Sequence, residues 1–345
     1  MHRNVIAALG VLATLTAACS SSSPQPTRPV AAPGQVVTVF SEHDGGLRDP
    51  GSPGEYDTAA MAPGGGDLYI GMNSYGRVVK VPRRGQARTL LDCHTVFPEG
   101  MAQAKLRSGS RCDESASAFA PTGMAVSNDG TLYVADEDNA VWAVTPSGRI
   151  RKVVGSGRGL PIVGPVLSGP ASRVDVSHPG AVALGPDGAV YFEDIGRVVK
   201  LGRDGMVSIV AGNAGPSGES GDGGLATQAA IEIGGLAVDS SGNLYIGGGS
   251  RIRRVDSGGI ITTVAGPPAT AAQFSSISAL AFDGAGNLFV AEDTPRRVRR
   301  IGRDGSVTTV AADLPSVYGI AVDNAGNLYI PESVAGRAQM VGAAR

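Results

Sequence analysis

The chain has 345 residues, 42% of them apolar and 17% charged, enough for one large or two ordinary globular domains. Its net charge of −2 offers no basic stripe of the kind a nucleic-acid partner needs, so none is expected. The 51 glycines favour many short strands over helices, and three cysteines and four histidines leave little material for metal chemistry.

The N-terminus reads as an export signal. His2 and Arg3 precede a mostly apolar run over residues 5–18, too short to span a bilayer but long enough for a signal-peptide core. The run ends in Leu15-Thr16-Ala17-Ala18-Cys19, followed by four serines. This resembles the lipobox of bacterial lipoproteins, which implies cleavage before Cys19, a lipid on that cysteine and a place on the outer face of the cell membrane. Residues 1–18 are therefore expected to be the signal peptide. Residues 19–34 are expected to be the lipid-anchored cysteine and a flexible linker, because residues 20–34 show no apolar period.

From residue 35 the chain repeats itself. Residues 278–310 give the pattern: Ala279-Leu280-Ala281-Phe282, a turn ending Gly286-Asn287, Leu288-Phe289-Val290-Ala291, then Arg297-Val298-Arg299-Arg300-Ile301, a turn at Asp304-Gly305, and Val307-Thr308-Thr309-Val310. Four short β-branched or aromatic runs closed by glycine turns predict an antiparallel four-stranded meander. Aligning on the second run gives Leu68-Tyr69, Leu132-Tyr133, Val190-Tyr191, Leu244-Tyr245, Leu288-Phe289 and Leu328-Tyr329, hence six units. Repeats of this length with four strands each predict an all-β, six-bladed β-propeller over residues 35–345. The first runs alternate small and large residues, as in Gly235-Leu236-Ala237-Val238, which suits strands crowded around an axis. The last unit lacks a fourth run, and Gly34-Gln35-Val36-Val37-Thr38-Val39-Phe40 matches Gly305-Ser306-Val307-Thr308-Thr309-Val310. The N-terminal strand is thus expected to complete the last blade, leaving no open edge.

These repeats resemble NHL repeats: an apolar-Ala-apolar-Asp run, a turn, Gly-Asn-Leu-Tyr, an acidic residue, then Arg-apolar-x-Arg/Lys. Asp239-Ser240-Ser241-Gly242-Asn243-Leu244-Tyr245 and Asp323-Asn324-Ala325-Gly326-Asn327-Leu328-Tyr329 carry the likeness, and the loop over residues 218–227 is similar to an inter-blade loop of bacterial NHL proteins. The resemblance implies a propeller that binds protein or RNA, with enzymes a minority among related folds.

In an up-and-down blade, the connection between strands two and three shares a face with the connection to the next blade. That face is expected to collect Asp136, Glu137, Asp138, Glu193, Asp194, Glu292, Asp293 and Glu332, together with three long insertions over residues 92–120, 155–177 and 212–233. His178 and Asp222 fall in those insertions or at their ends and join the candidate binding face. Two roles are open to the acids: capping loop amides or meeting a ligand. Cys93 and Cys112 share the first insertion and are expected to pair outside the cytoplasm, a constraint of about 3 kcal/mol. His43, His94 and His178 lie at or in connections to a new blade. The related amidating-lyase propellers hold zinc with histidines from separate blades, and His178, just before an inner strand, is the one approach to such a ligand. Lactonase-type propellers hold calcium with a Glu, Asn, Asp set, but the repeated Asn243, Asn287 and Asn327 fall in turns on the other face. No catalytic residue, metal or cofactor is therefore expected. Arg251, Arg253, Arg254, Arg296, Arg297, Arg299, Arg300 and Arg303 lie on or beside third strands, where alternate arginines are expected to be solvated at blade rims. The reading is a non-catalytic, lipid-anchored scaffold meeting a protein or glycan partner at the cell envelope. The alternatives are a metal-dependent lyase or lactonase-type enzyme working at the channel mouth, and a detached sensor ectodomain.

Overall fold

A computed structural model describes residues 27–29, 31–41, 58–62, 65–73, 76–92, 96, 119–137, 139–155, 168–215, 218–270, 272–332 and 337–343. Six antiparallel sheets follow one another around a ring. Blade 1 holds Thr58–Met61, Leu68–Met72, Arg77–Val81 and Arg88–Asp92, and blade 2 holds Pro121–Val126, Leu132–Asp136, Ala140–Val144 and Ile150–Val154. Blade 3 holds Val182–Leu184, Val190–Glu193, Val198–Leu201 and Met206–Ala211, with Gly169–Pro170 as a short fifth strand at its rim. Blade 4 holds Gly235–Val238, Leu244–Gly248, Arg251–Val255 and Ile261–Ala265, and blade 5 holds Ile277–Phe282, Leu288–Glu292, Arg297–Ile301 and Val307–Ala311. Blade 6 takes Ala321–Val322, Leu328–Glu332 and Arg337–Val341 from the end of the chain and Val36–Ser41 from its beginning.

The closure copies the regular blades in detail. In every blade the outermost strand carries one residue more than its partner, a bulge that increases twist at the rim. The extra residue is Leu90, Val153, Val210, Val264 and Val310 in blades 1 to 5, and Val39 in the closing strand of blade 6. The missing hairpin turn is rebuilt from the two chain ends as well. In blade 5 the Gly302 amide donates to Ser306 and the Gly305 amide to Gly302; at the closure the Gly342 amide donates to Gln35 and the Gly34 amide to Gly342. Gly34 has φ +71°, matching +81° at Gly305, a conformation only glycine adopts without strain.

Side chains alternate along each strand, so every blade splits its apolar residues between two neighbours. Leu68, Ile70 and Met72 pack toward blade 6, whereas Tyr69 packs toward blade 2. One apolar core fills each of the six seams, including that between blades 6 and 1, where Phe40 of the closing strand meets Ile70 and Tyr329. Around the axis the inner strands come close enough to exclude side chains. A Cβ on Gly123 would stand 2.4 Å from the Gly180 carbonyl of the next blade, and one on Gly235 would stand 2.7 Å from Ala279 Cα.

Candidate functional site

The strand 1–2 and 3–4 hairpins of all blades lie at one end of the ring, which we call the turn face. The strand 2–3 connections and the links between blades lie at the other, the mouth face. Most turn-face hairpins are held by their own side chains. In the three best-matched repeats one Asp oxygen (Asp239, Asp283, Asp323) accepts the amides two and four residues on, while the other accepts Nδ2 of Asn243, Asn287 or Asn327, all at 2.7–3.0 Å.

The mouth face opens into an axial cavity of about 890 Å³ to which every inner strand or the residue beside it contributes, through Thr58, Thr122, Gly180, Gly234, Ser276 and Ile320. Hydroxyls stitch the inner strands together: Thr122 donates to the Pro179 carbonyl of the next blade at 2.5 Å, and Ser278 to Val317 at 2.7 Å.

The acids expected to ring this face divide into two groups. Asp136, Asp194, Glu292 and Glu332 are buried at the ends of second strands. Asp136 accepts the Ala120 amide and the Trp142 indole N–H, both at 2.9 Å. Asp194 accepts the Ser177 amide at 2.6 Å. Glu292 accepts the Ser275 amide at 2.9 Å and takes Arg297 and Arg299 on both oxygens. Three second strands thus end in a carboxylate that clips the segment entering the same blade, a local repeat of one device. Glu332 pairs with Arg337. Among the described residues of the predicted set, Glu193 and Asp293 line the cavity.

Glu193 lies across the entry to its own inner strand, where a Cβ on Gly180 would come within 2.4 Å of its Oε2. Burial pushes its carboxyl up to about 7; the Ala181 amide opposes this and the charge of Asp194 adds to it. Burial likewise raises Asp194 to about 6, against the Ser177 amide and the nearby Arg197 and His178. Asp293 has one buried oxygen, Oδ1, without a hydrogen-bond partner among the described residues.

The remaining candidates stand away from the mouth. His178 is exposed and does not line the cavity; its amide donates to Asn139 Oδ1 at 3.2 Å and its ring lies 3.9 Å from the exposed Glu137. Asp222 is taken up by Arg253, with contacts of 2.7 and 2.9 Å, and by the Thr263 amide, pinning the 218–227 loop to the rim of blade 4. The arginines expected to be solvated need correcting at two positions. Arg253 and Arg299 are buried, the first on Asp222 and Ser220, the second on Glu292 and over the Phe274 ring at 3.9 Å. Each stands at the third-strand position that Val79, Trp142 and Val199 take in blades 1 to 3, a position buried in all of these blades. Cys19, Cys93, Cys112, His43, His94 and Asp138 lie outside the described residues. Among the described residues no three His, Cys, Asp or Glu side chains come together to hold a metal ion.

Several mouth residues carried no mark in the sequence: Glu232, Asn73, Tyr318 and, in this role, Arg296. Glu232 and Tyr318 lie just before inner strands, on the same face as the strand 2–3 connections. A search extended to the two or three residues ahead of each first strand would have found them.

Set against known proteins, the family model of the teneurin NHL domain matches residues 47–216 and 213–273. The chain belongs to this family of NHL propellers. The NHL chain is 26% identical over 310 residues to Teneurin-3 of Mus musculus, covering 79% of itself but spanning only 11% of that relative. Its fold superimposes on a gluconolactonase of Xanthomonas campestris with a TM-score of 0.59 at 15% identity, covering 93% of this chain and 95% of that one. A chain of the nidogen–laminin complex gives a TM-score of 0.51 at 15% identity, covering 77% and 85%. At such identities these structures share the fold of the NHL chain and nothing more specific.

Proposed function

We propose that the protein is an exported NHL propeller, lipid-anchored through Cys19 to the outer face of the cell membrane, that acts as a non-catalytic binding module for a protein or glycan partner of the cell envelope. One observation carries the binding reading. Four of the carboxylates expected at this face are committed as clips and ion pairs, while the mouth stays open and is walled by backbone, hydroxyls, the half-exposed Tyr318 and the charged Glu193, Glu232, Asp293 and Arg296. A polar cavity with an aromatic at its lip suits a protruding loop or a sugar. The nidogen–laminin likeness supports a protein partner for this fold.

A photo-crosslinking amino acid at Tyr318 on the mouth face, compared with one at Ser257 on the turn face, tests the reading in the producing cell. Adducts to one envelope component from position 318 alone are expected. Adducts from position 257 alone, or from neither, sink it. The lipid is checked by the intact mass of the membrane-extracted protein and its Cys19→Ala variant.

One observation favours a second reading, an enzyme at the mouth. A carboxyl raised to about 7 is matched to proton transfer near neutrality, and Glu193 is such a group inside the cavity. Turnover of lactones by the purified chain, lost in a folded Glu193→Gln variant, would put this reading ahead.

A further inference from the structure

The residues ahead of the closing strand do not leave the ring freely. Thr27 forms a bridge with Arg84, and the Arg28 amide donates to the Arg83 carbonyl at 3.0 Å. Ala31 packs on the core between blades 6 and 1, and a Cβ on Gly342 would stand 2.1 Å from the Ala32 carbonyl. The Arg28 guanidinium reaches across the turn face, its Nη2 donating to the Gly65 and Gly66 carbonyls at 3.1 and 2.9 Å.

Comparison with the other blades shows what Arg28 is doing there. In most blades the register sets a cation on strand three opposite the aromatic of strand two: Lys80 opposite Tyr69, Lys200 opposite Tyr191, Arg254 opposite Tyr245 and Arg300 opposite Phe289. Lys80 and Lys200 lie over their rings at 5.7 and 5.3 Å and pair with Asp67 and Asp187 of the adjoining turns. In blade 6 the residue opposite Tyr329 is Met340, which has no charge to offer. Arg28 lies over that ring instead, 5.1 Å from its centroid. A residue some 300 positions away along the chain thus supplies the cation that blade 6 lacks.

We propose that the turn-face seam between blades 6 and 1 is a guanidinium site, built from the Tyr329 ring and the Gly65 and Gly66 carbonyls, which the chain fills with its own Arg28. The filled site makes residues 27–29 and 31–34 a docked strap where the sequence suggested a free stalk, and it fixes the turn face as the side from which the N-terminal part departs. Nη2 at the tip of the guanidinium makes both carbonyl bonds while the group lies over the ring, and Nη1 is buried without a partner among the described residues; the ammonium of lysine, one bond shorter in reach, would keep only part of this. Where Cys19 carries the anchor, which rests on the function proposed above, the span from Cys19 to Thr27 is at most about 28 Å at roughly 3.5 Å per residue. The turn face then looks toward the membrane and the mouth looks away from it.

Hydrogen exchange on the full chain tests the strap. In the wild type the 27–35 segment should exchange at least tenfold more slowly than an unstructured peptide of the same sequence. In Arg28→Ala that protection should be lost while Val36–Ser41 stays protected, and Arg28→Lys should recover only part of it. Free-peptide exchange in the wild type overturns the proposal, and does so even if Arg28→Ala fails to fold. So does full protection in a folded Arg28→Ala variant. In vesicles bearing a headgroup quencher, a fluorescent amino acid at Ser257 should be quenched at least twofold more than one at Tyr318. Equal or reversed quenching of the acylated chain overturns the orientation. A chain whose mass shows no lipid on Cys19 refutes the anchor alone and leaves the exchange result to decide the strap.

Discussion

The two ends of the ring solve the same backbone problem in different ways. Reversing a chain needs residues at positive φ, and on the turn face glycine takes that position in every complete hairpin: Gly65, Gly85, Gly130, Gly148, Gly188, Gly205, Gly242, Gly259, Gly286, Gly305 and Gly326, with φ between +69° and +103°. On the mouth face seven described residues other than glycine adopt positive φ: Asn139, His178, Ile195, Ala214, Ser276, Arg296 and Asp313. Asparagine and aspartate tolerate this conformation; isoleucine, alanine and arginine do so at a cost of order 1 kcal/mol each. The turn face is therefore the relaxed end of the molecule and the mouth face the strained one. Glycines such as Gly76, Gly196 and Gly249 take positive φ at this end too, so the strain is confined to those seven positions, of which Ser276 and Arg296 line the cavity.

The contrast extends to the carboxylates of the mouth face, which should respond to substitution with opposite signs. The largest effect is expected at Glu292. It is fully buried and holds Arg297, buried Arg299 and the Ser275 amide. Glu292→Ala would strand Arg299 without its partner, so a loss of roughly 3–5 kcal/mol is expected in denaturant titration. A loss below about 1 kcal/mol would show that the clip is incidental and that the mouth acids form one class.

Glu193→Gln should do the reverse. Between the ordinary glutamate range and about 7 the folded chain keeps a proton on Glu193 that the unfolded chain has released. The stability this provides is complete below the unfolded value and is lost as pH rises through the folded one. The wild type should therefore lose stability between about pH 4.5 and 7 at this site, by at most about 3 kcal/mol. Glu193→Gln should flatten that part of the profile and be the more stable protein at pH 8. Melting temperatures across pH 4 to 8 check this, and an unchanged profile would mean that Glu193 is solvated and ionised throughout.

These two residues also mark where the sequence stops being legible. The blades, their number and the closing strand follow from local patterns: alternation of apolar residues, Asp…Gly-Asn turns, and the match of residues 34–40 to 305–310. The apolar alternation recurs in all six blades and the Asp…Gly-Asn turn in three of them, and each pattern is set within a few residues. What Glu292 and Glu193 do is set by neighbours distant in sequence or by the path of an inserted loop. Both acids end a second strand, yet one finds two arginines on strand three and the other finds the Ala181 amide, the backbone of Gly180 and the like charge of Asp194. The outward reading of Arg253 and Arg299 failed for a related reason: their strand position faces a buried seam, as Val79, Trp142 and Val199 do in blades 1 to 3, and the partners that accept the charge there, Asp222 and Glu292, come from a loop or another strand. Arg28 shows the same limit from the other side, because a linker without apolar period gives no sign that blade 6 lacks a cation.

A smaller effect tests the comparison of the faces most directly. Ile195 sits between the second and third strands of blade 3 with φ +43° and half its surface exposed, the worst residue type for that conformation. Ile195→Gly should relieve the strain, and after the entropy that glycine adds to the unfolded chain a gain of about 0.5–1 kcal/mol is expected. Gly242→Ala, at φ +85° in a turn-face hairpin with nothing near its missing Cβ, should instead cost about 1–2 kcal/mol through backbone strain alone. If both substitutions prove neutral, the backbone at the mouth is not strained and its non-glycine residues are incidental. If the signs come out as stated, and Ile195→Gly also weakens the Tyr318 crosslink without loosening the fold, the side chain is kept at the mouth for what it touches there.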